Sequence, residues 1–305
     1  MATQKFKLSY LHPKYWLAWL AVGVSRCMAI LPRSWQFSLS KWIANRLASK
    51  ENRRISTIRR NIDRCFANET DAYREELVRA NIKSSALMLF DLFNIIWRPP
   101  ADMTANIKVV GEEYLEQALR ADRPLLLVIG HFTPLFHAIS KLSTLAPFDV
   151  IYRRMNNPVM EANLYQRGAG KYPITLFHRK DISKMLEKLA DNGTVFIAPD
   201  QDFGVSRGAF VSFFGIPTAT ITTIPQYAQQ TNAQVMLLSA YRDGEKGSVI
   251  EFEPVLENYP TGDDIADTQR WTDWLEEKIR LHPADYLWMH KRFKTRPKGE
   301  PGFYK

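Results

Sequence analysis

Residues 124–137 read PLLLVIGHFTPLFH. Five consecutive apolar residues, Leu125 to Ile129, lie between Arg123-Pro124 and Gly130. A run that short and so bounded predicts a strand buried on both faces, as in a parallel sheet. Gly130 supplies a tight turn and His131 follows at once. Thr133-Pro134 predicts a helix start, with Thr as the cap and Pro at the first helical position. His131 is thereby placed where the carboxyl end of a strand meets the amino end of a helix, the edge at which open α/β sheets bind ligands. The helix dipole there favours a neutral imidazole, available as a base. His137 reads as an ordinary helix residue.

Downstream, the pattern alternates. Strands are expected at 148–152, 174–177, 194–198, 234–241 and 249–253. Helices are expected at 157–166 and at 182–189, the latter capped by Asp181, with Asp191-Asn192-Gly193 turning into the next strand. A last amphipathic helix carries Trp271, Trp274, Leu275 and Ile279. Such alternation predicts an α/β fold with a mainly parallel sheet flanked by helices.

Upstream, the character changes. Residues 15–24 (YWLAWLAVGV) are apolar and aromatic, are interrupted by Ser25-Arg26, and resume as CMAIL at 27–31. This is too short and broken for a confident spanning helix, and no small-residue cleavage site follows it. A monotopic or marginally inserted anchor fits, with Trp16 and Trp19 at headgroup depth. Trp35, Leu39, Trp42, Ile43 and Leu47 repeat the theme at helical spacing. Lys50, Arg53, Arg54, Arg59, Arg60 and Arg64 then face only Glu51 and Asp63, a surface suited to anionic lipid. That basic excess predicts that the body of the protein lies on the cytoplasmic side of the membrane. The organisation expected is a membrane-associating helical segment, 1–64, and an α/β domain, 65–305.

The net charge of +9 suggests an anionic partner. A nucleic-acid-binding reading has the charge and the Arg-rich run but no recognition motif, so no nucleic acid is expected. A serine hydrolase lacks its G-x-S-x-G elbow. The two cysteines, Cys27 and Cys65, form neither a disulfide framework nor a metal-ligand spacing, and no Gly-rich phosphate loop is present. No cofactor is expected.

Several polar groups fall at strand ends and turns: RRNI at 59–62, GHF at 130–132, YRRMNNP at 152–158, RKD at 179–181, APDQDFG at 198–204, FFG with a Thr-rich continuation at 213–223, and YLWMHKRFKTRP at 286–297. In this order and spacing, over nearly the whole chain, they resemble the late (secondary) acyltransferases of lipid A biosynthesis. The resemblance implies transfer of a fatty acyl chain from acyl carrier protein to a hydroxyl of a lipid A precursor at an anionic membrane surface. It implies a His general base followed five positions later by Asp or Glu, which orients the imidazole and stabilises its cation. The His is His131, but the fifth position holds Phe136, which can do neither.

Three readings follow: a point variant of an active enzyme, a paralogue in which Asp200 or Asp202 orients His131, or a non-catalytic lipid-binding relative. The undamaged surrounding motifs favour the first, and on that reading transfer is severely impaired. The resemblance and charge together assign Arg153, Arg154 and Arg179 to acceptor phosphates or the acidic carrier. Asp200 is expected to order that arginine cluster or to act as a cap. Phe210, Phe213 and Phe214 are expected to wall an acyl pocket or to pack the core.

Overall fold

The structure is a computed structural model, and it describes residues 7–50, 52–178, 180–245 and 247–304. In chain order the elements are α1 (Trp16–Ile30), α2 (Arg33–Leu47), α3 (Arg53–Cys65), α4 (Asp71–Trp97), α5 (Pro100–Thr104), β1 (Ile107–Val110), α6 (Glu112–Arg120), β2 (Leu125–Ile129), α7 (Leu135–Leu145) and β3 (Phe148–Tyr152). Then come α8 (Pro158–Met160), a π-helical turn (Glu161–Gln166), α9 (Arg167–Ala169), β4 (Ile174–His178), α10 (Ile182–Ala190) and β5 (Thr194–Ile197). The remainder is β6 (Gly208–Phe213), β7 (Ile216–Ile221), α11 (Thr223–Thr231), β8 (Gln234–Asp243), β9 (Gly247–Val255) and α12 (Asp264–Leu281).

Seven strands form one sheet in the order β1-β9-β8-β2-β5-β3-β4. β8, β2, β5, β3 and β4 run parallel, as the alternation predicts. β2 and β5 lie in the middle and are buried along their whole length, which is what makes their sequences continuously apolar. β9 departs from the parallel pattern: it pairs antiparallel with β8, and β1 joins its outer edge. β1 is only IKVV with every second residue half-buried, too weak a signal to find beforehand.

The β6–β7 hairpin was also hidden, behind a stretch read as Phe-rich and then Thr-rich. Its turn, Phe214-Gly215, has both residues left-handed (φ 53° and 70°), as a two-residue type I′ turn requires. Thr133 is not the cap of α7: Pro134 holds that position, and the Thr133 side chain is buried against Ser84. The helix expected at 157–166 extends through Ala169, with Asn157 capping it and a π-helical turn in its middle.

The N-terminal layer is turned inside out relative to an ordinary soluble helix pair. α1 buries small residues (Ala18, Val22, Ser25, Ala29) and exposes Trp16, Leu17, Leu20, Val24 and Ile30. α2 buries Gln36, Ser40 and Ala44 and exposes Trp35 and Trp42. Small and polar faces let both helices lie close on α4, where Gln36 and Asn94 exchange amide hydrogen bonds of 2.9 and 3.0 Å. Among the described residues no single helix is long and apolar enough to cross a membrane; the Pro13–Ile30 and Arg33–Leu47 segments are bent by 119° at the break between them. The main core runs without interruption from Ala44 in α2 through α3 and α4 into the sheet.

Candidate active site

Parallel pairing of β2 with β5 builds the site. Val128 lies opposite Ile197, an offset of 69 residues (197 − 128). His131 and Asp200, three residues beyond each, keep the same offset (200 − 131 = 69) and meet side by side where the strands end. Nδ1 of His131 lies 2.5 Å from Asp200 Oδ1, and the His131 backbone N–H donates to Oδ2 at 3.0 Å. The Tyr286 hydroxyl donates to the same Oδ2 at 2.9 Å. Asp200 is buried, so three donors compensate its desolvation.

The segment carrying Tyr286 is held from three sides. Asn81 of α4 donates to the carbonyls of Ala284 and Tyr286 at 2.9 and 2.6 Å. Asn61 of α3 donates to those of Trp288 and His290 at 2.7 and 2.9 Å. The Leu287 N–H donates to the His131 carbonyl at 3.0 Å. A Cβ at Gly130 would lie 2.4 Å from the Leu275 side chain, so a larger residue there requires Leu275 to shift.

Charge follows geometry. Burial alone would lower the basicity of His131, but the Asp200 charge and hydrogen bond outweigh it and raise the imidazole above the ordinary histidine range. Burial alone would raise Asp200, but His131, by charge and by side-chain and backbone hydrogen bonds, holds it well below the usual carboxylate range. Burial and the Asp200 charge push the Tyr286 phenol well up, so it remains a donor. With Nδ1–H committed to Asp200, Nε2 is the basic atom, and the Gln201 amide donates to it at 3.2 Å. Base, paired carboxylate and a second nitrogen that a hydroxyl can take over from the Gln201 amide together suit proton removal from that hydroxyl.

Other expected residues take different places. Asp202 does not serve His131: its carboxylate accepts from the Gly204 N–H and from the Thr295 N–H and hydroxyl, which staples the 200–204 turn to the C-terminal segment. Phe136 sits half-buried against the core in the first turn of α7, which has no acidic residue there. The expectation that Phe136 leaves the imidazole without a carboxylate is therefore corrected, because Asp200, in the turn after β5, lies against Nδ1. Asp200 serves His131 rather than ordering an arginine cluster. Arg153 and Arg154 are exposed just beyond β3, on the same sheet edge and two strands from β2. Arg179 lies outside the described residues.

Phe213 is fully buried between Tyr286 and Phe293, and Phe214 packs on Phe66 and Trp288, so both are core side chains. Phe210 is half-buried on β6. His137 is more than an ordinary helix residue: buried on α7, it reaches Asp91 at 3.2 Å through Nε2 and Ser248 at 2.7 Å through Nδ1.

Tyr286 and Gln201 carried no assigned role beforehand, although both lie in conspicuous motifs. The only signal for Gln201 was its place between two acids at a strand end. Tyr286 had none, because its function depends on a carboxylate 86 residues away.

The model of the bacterial lipid A biosynthesis acyltransferase family matches residues 3–295. The chain is 30% identical over 304 residues to the lipid A biosynthesis lauroyltransferase of Escherichia coli (strain K12), covering 98% of each chain. It is 28% identical over 302 residues to the palmitoleoyltransferase of the same organism, again covering 98% of each. It is 26% identical over 309 residues to the myristoyltransferase, covering 99% of this chain and 94% of the relative.

Proposed function

The chain belongs to the bacterial lipid A biosynthesis acyltransferase family, and on that premise we propose that it moves a fatty acyl chain from the thioester of acyl carrier protein to a hydroxyl of a lipid A precursor, with His131 as general base and Asp200 as its orienting acid. The observation that carries this reading is the 2.5 Å contact between His131 Nδ1 and Asp200 Oδ1 in a chain whose position 136 is Phe. The acceptor hydroxyl displaces the Gln201 amide from Nε2. Its oxygen attacks the thioester carbonyl as Nε2 takes the proton, and Asp200 stabilises the imidazolium so formed. Collapse of the tetrahedral intermediate breaks the C–S bond, and the departing thiolate takes the proton from Nε2. Arg153 and Arg154, about 10 Å along the sheet edge at two strand spacings, are placed to meet anionic parts of either substrate. The testing assay follows transfer from an acyl carrier thioester to a lipid A precursor; His131→Ala should abolish it while the protein still folds.

This reading makes a prediction about Phe136 that differs from the one drawn from the motif alone. The imidazole has one proton on Nδ1, and Asp200 already accepts it. A carboxylate at 136 finds no second proton to hold. Phe136→Glu should therefore change the rate by less than about tenfold, under 1.4 kcal/mol in the barrier. A gain of a thousandfold or more would return the orienting role to position 136.

The exposed aromatic faces of α1 and α2 support a membrane-bound protein, seated by Trp16, Leu17, Leu20 and Trp35 at the lipid surface. The basic residues after them support the cytoplasmic face of the inner membrane. The protein should pellet with membranes at low and high salt alike and need detergent for release. Full recovery in the soluble fraction would rule out this anchor.

A further inference from the structure

Two segments far apart in sequence form a cationic cavity next to the His131–Asp200 pair. One wall is the start of α3, with Arg53 and Arg54; the other is the C-terminal segment, with Lys291 and Lys294; Thr57, Met289 and His290 complete the lining of a space of about 330 Å³. Asn61 holds the walls together through its bonds to the Trp288 and His290 carbonyls. His290 connects the cavity to the site: its Nε2 accepts the Asp202 N–H at 3.1 Å, and Asp202 adjoins Gln201 on the imidazole.

The charges are unbalanced. Among the described residues no carboxylate lies within ion-pairing distance of Arg53, Arg54, Lys291 or Lys294. Arg53 and Arg54 also occupy the first turn of α3, which holds no acidic residue. Cations at the positive end of a helix dipole are destabilising unless an anion joins them. Four cations from two sutured segments, linked to the base through His290 and the 200–202 turn, form a site for a compact multivalent anion. Arginine forks and lysine ammoniums suit phosphate oxygens.

We infer that this cavity holds a phosphate group of the acceptor lipid, fixing which hydroxyl reaches His131. The choice of lipid rests on the acyl-transfer reading. α3 begins a few residues beyond α2, whose aromatic face is turned outward, so a phosphate at the bilayer surface enters from that side.

The test measures binding of the full-length protein to phosphatidylcholine vesicles carrying a lipid A precursor, either intact or after phosphatase treatment. The wild type should prefer the intact lipid by tenfold or more, the order expected from charge-assisted contacts. The pairs Arg53→Gln/Arg54→Gln and Lys291→Gln/Lys294→Gln should each bring the preference close to one, and Arg53→Lys/Arg54→Lys should keep most of it. Thermal unfolding of each pair confirms that the fold persists. An unchanged preference in both glutamine pairs overturns the inference. So does a rise in KM for the acyl carrier thioester with lipid preference intact, which would assign the cavity to the carrier's phosphopantetheine. If the preference behaves as expected but no acyl group is ever transferred, the phosphate site stands and the acyl-transfer reading fails.

Discussion

Asp200→Asn is expected to lower acyl transfer by about 10⁴-fold, the scale on which removing the charge of a base-orienting carboxylate acts. The geometry says why the amide cannot substitute. Oδ2 faces two donors, the His131 N–H and the Tyr286 hydroxyl, so the amide oxygen must take that side. The amide NH₂ then faces Nδ1, which must become an acceptor. The ring proton moves to Nε2, the nitrogen that has to take the substrate's proton, and the base is lost. The acidic limb of kcat/KM should move as well. It reports His131 in the free enzyme, and with Asp200 present it lies above the ordinary histidine value. Without the carboxylate, burial and the Arg292 charge remain and both lower it, so any residual activity should show a limb displaced to lower pH. Transfer by Asp200→Asn within tenfold of wild type, with an unmoved limb, would remove Asp200 from the mechanism.

How much of this was legible beforehand depended on range. The strand at 125–129, the turn at Gly130 and the placement of His131 at a strand end are local, and they were readable from a single apolar run. The aromatic segments 15–31 and 34–49 were readable as surface-seeking for the same reason. The pairing of His131 with Asp200 was not. Both strand ends could be seen, but nothing in the chain says that β5 and β8, rather than β3 or β4, flank β2, and that adjacency decides which acid arrives. Phe136 compounded the difficulty. Without strand order, an empty acid position at 136 looks like a missing partner, whereas in the sheet it is a half-buried core contact. The roles of Tyr286, Asn61 and Asn81 were invisible for the same reason, since each is a contact between segments more than 80 residues apart.

The largest effect on stability is expected at Asp91, far from any motif. Asp91 is fully buried on α4 and binds Arg33 of α2 at 2.7 Å, Arg242 of β8 at 2.9 Å and His137 of α7 at 3.2 Å. One carboxylate thus ties the N-terminal helical layer to the sheet and to the helix that follows the His131 turn. Burial alone would raise its pKa; His137, Arg242 and Arg33 together hold it far below the usual range. Asp91→Asn leaves two guanidiniums buried without an anion and should cost about 3–5 kcal/mol, lowering the melting temperature in detergent by on the order of 10 °C. Adding Arg242→Met should recover part of the loss, because the pair is coupled and its effects do not add. The sign of the pH dependence follows from the depressed carboxylate. Its contribution is complete above the unfolded value near pH 4 and is lost as pH falls further, so the gap between wild type and Asp91→Asn should narrow on acidification below about pH 4. The same change should reach the site through Arg242. Its Nε donates to Ser84 Oγ and its backbone N–H to Asp285 Oδ2, while the Asp285 carbonyl accepts the Thr133 N–H at 2.6 Å, two residues from His131. A variant that melts like the wild type, with activity unchanged, would show that Arg33, Arg242 and His137 find other partners without Asp91, and that α4 does not depend on this charge to dock the His131 turn.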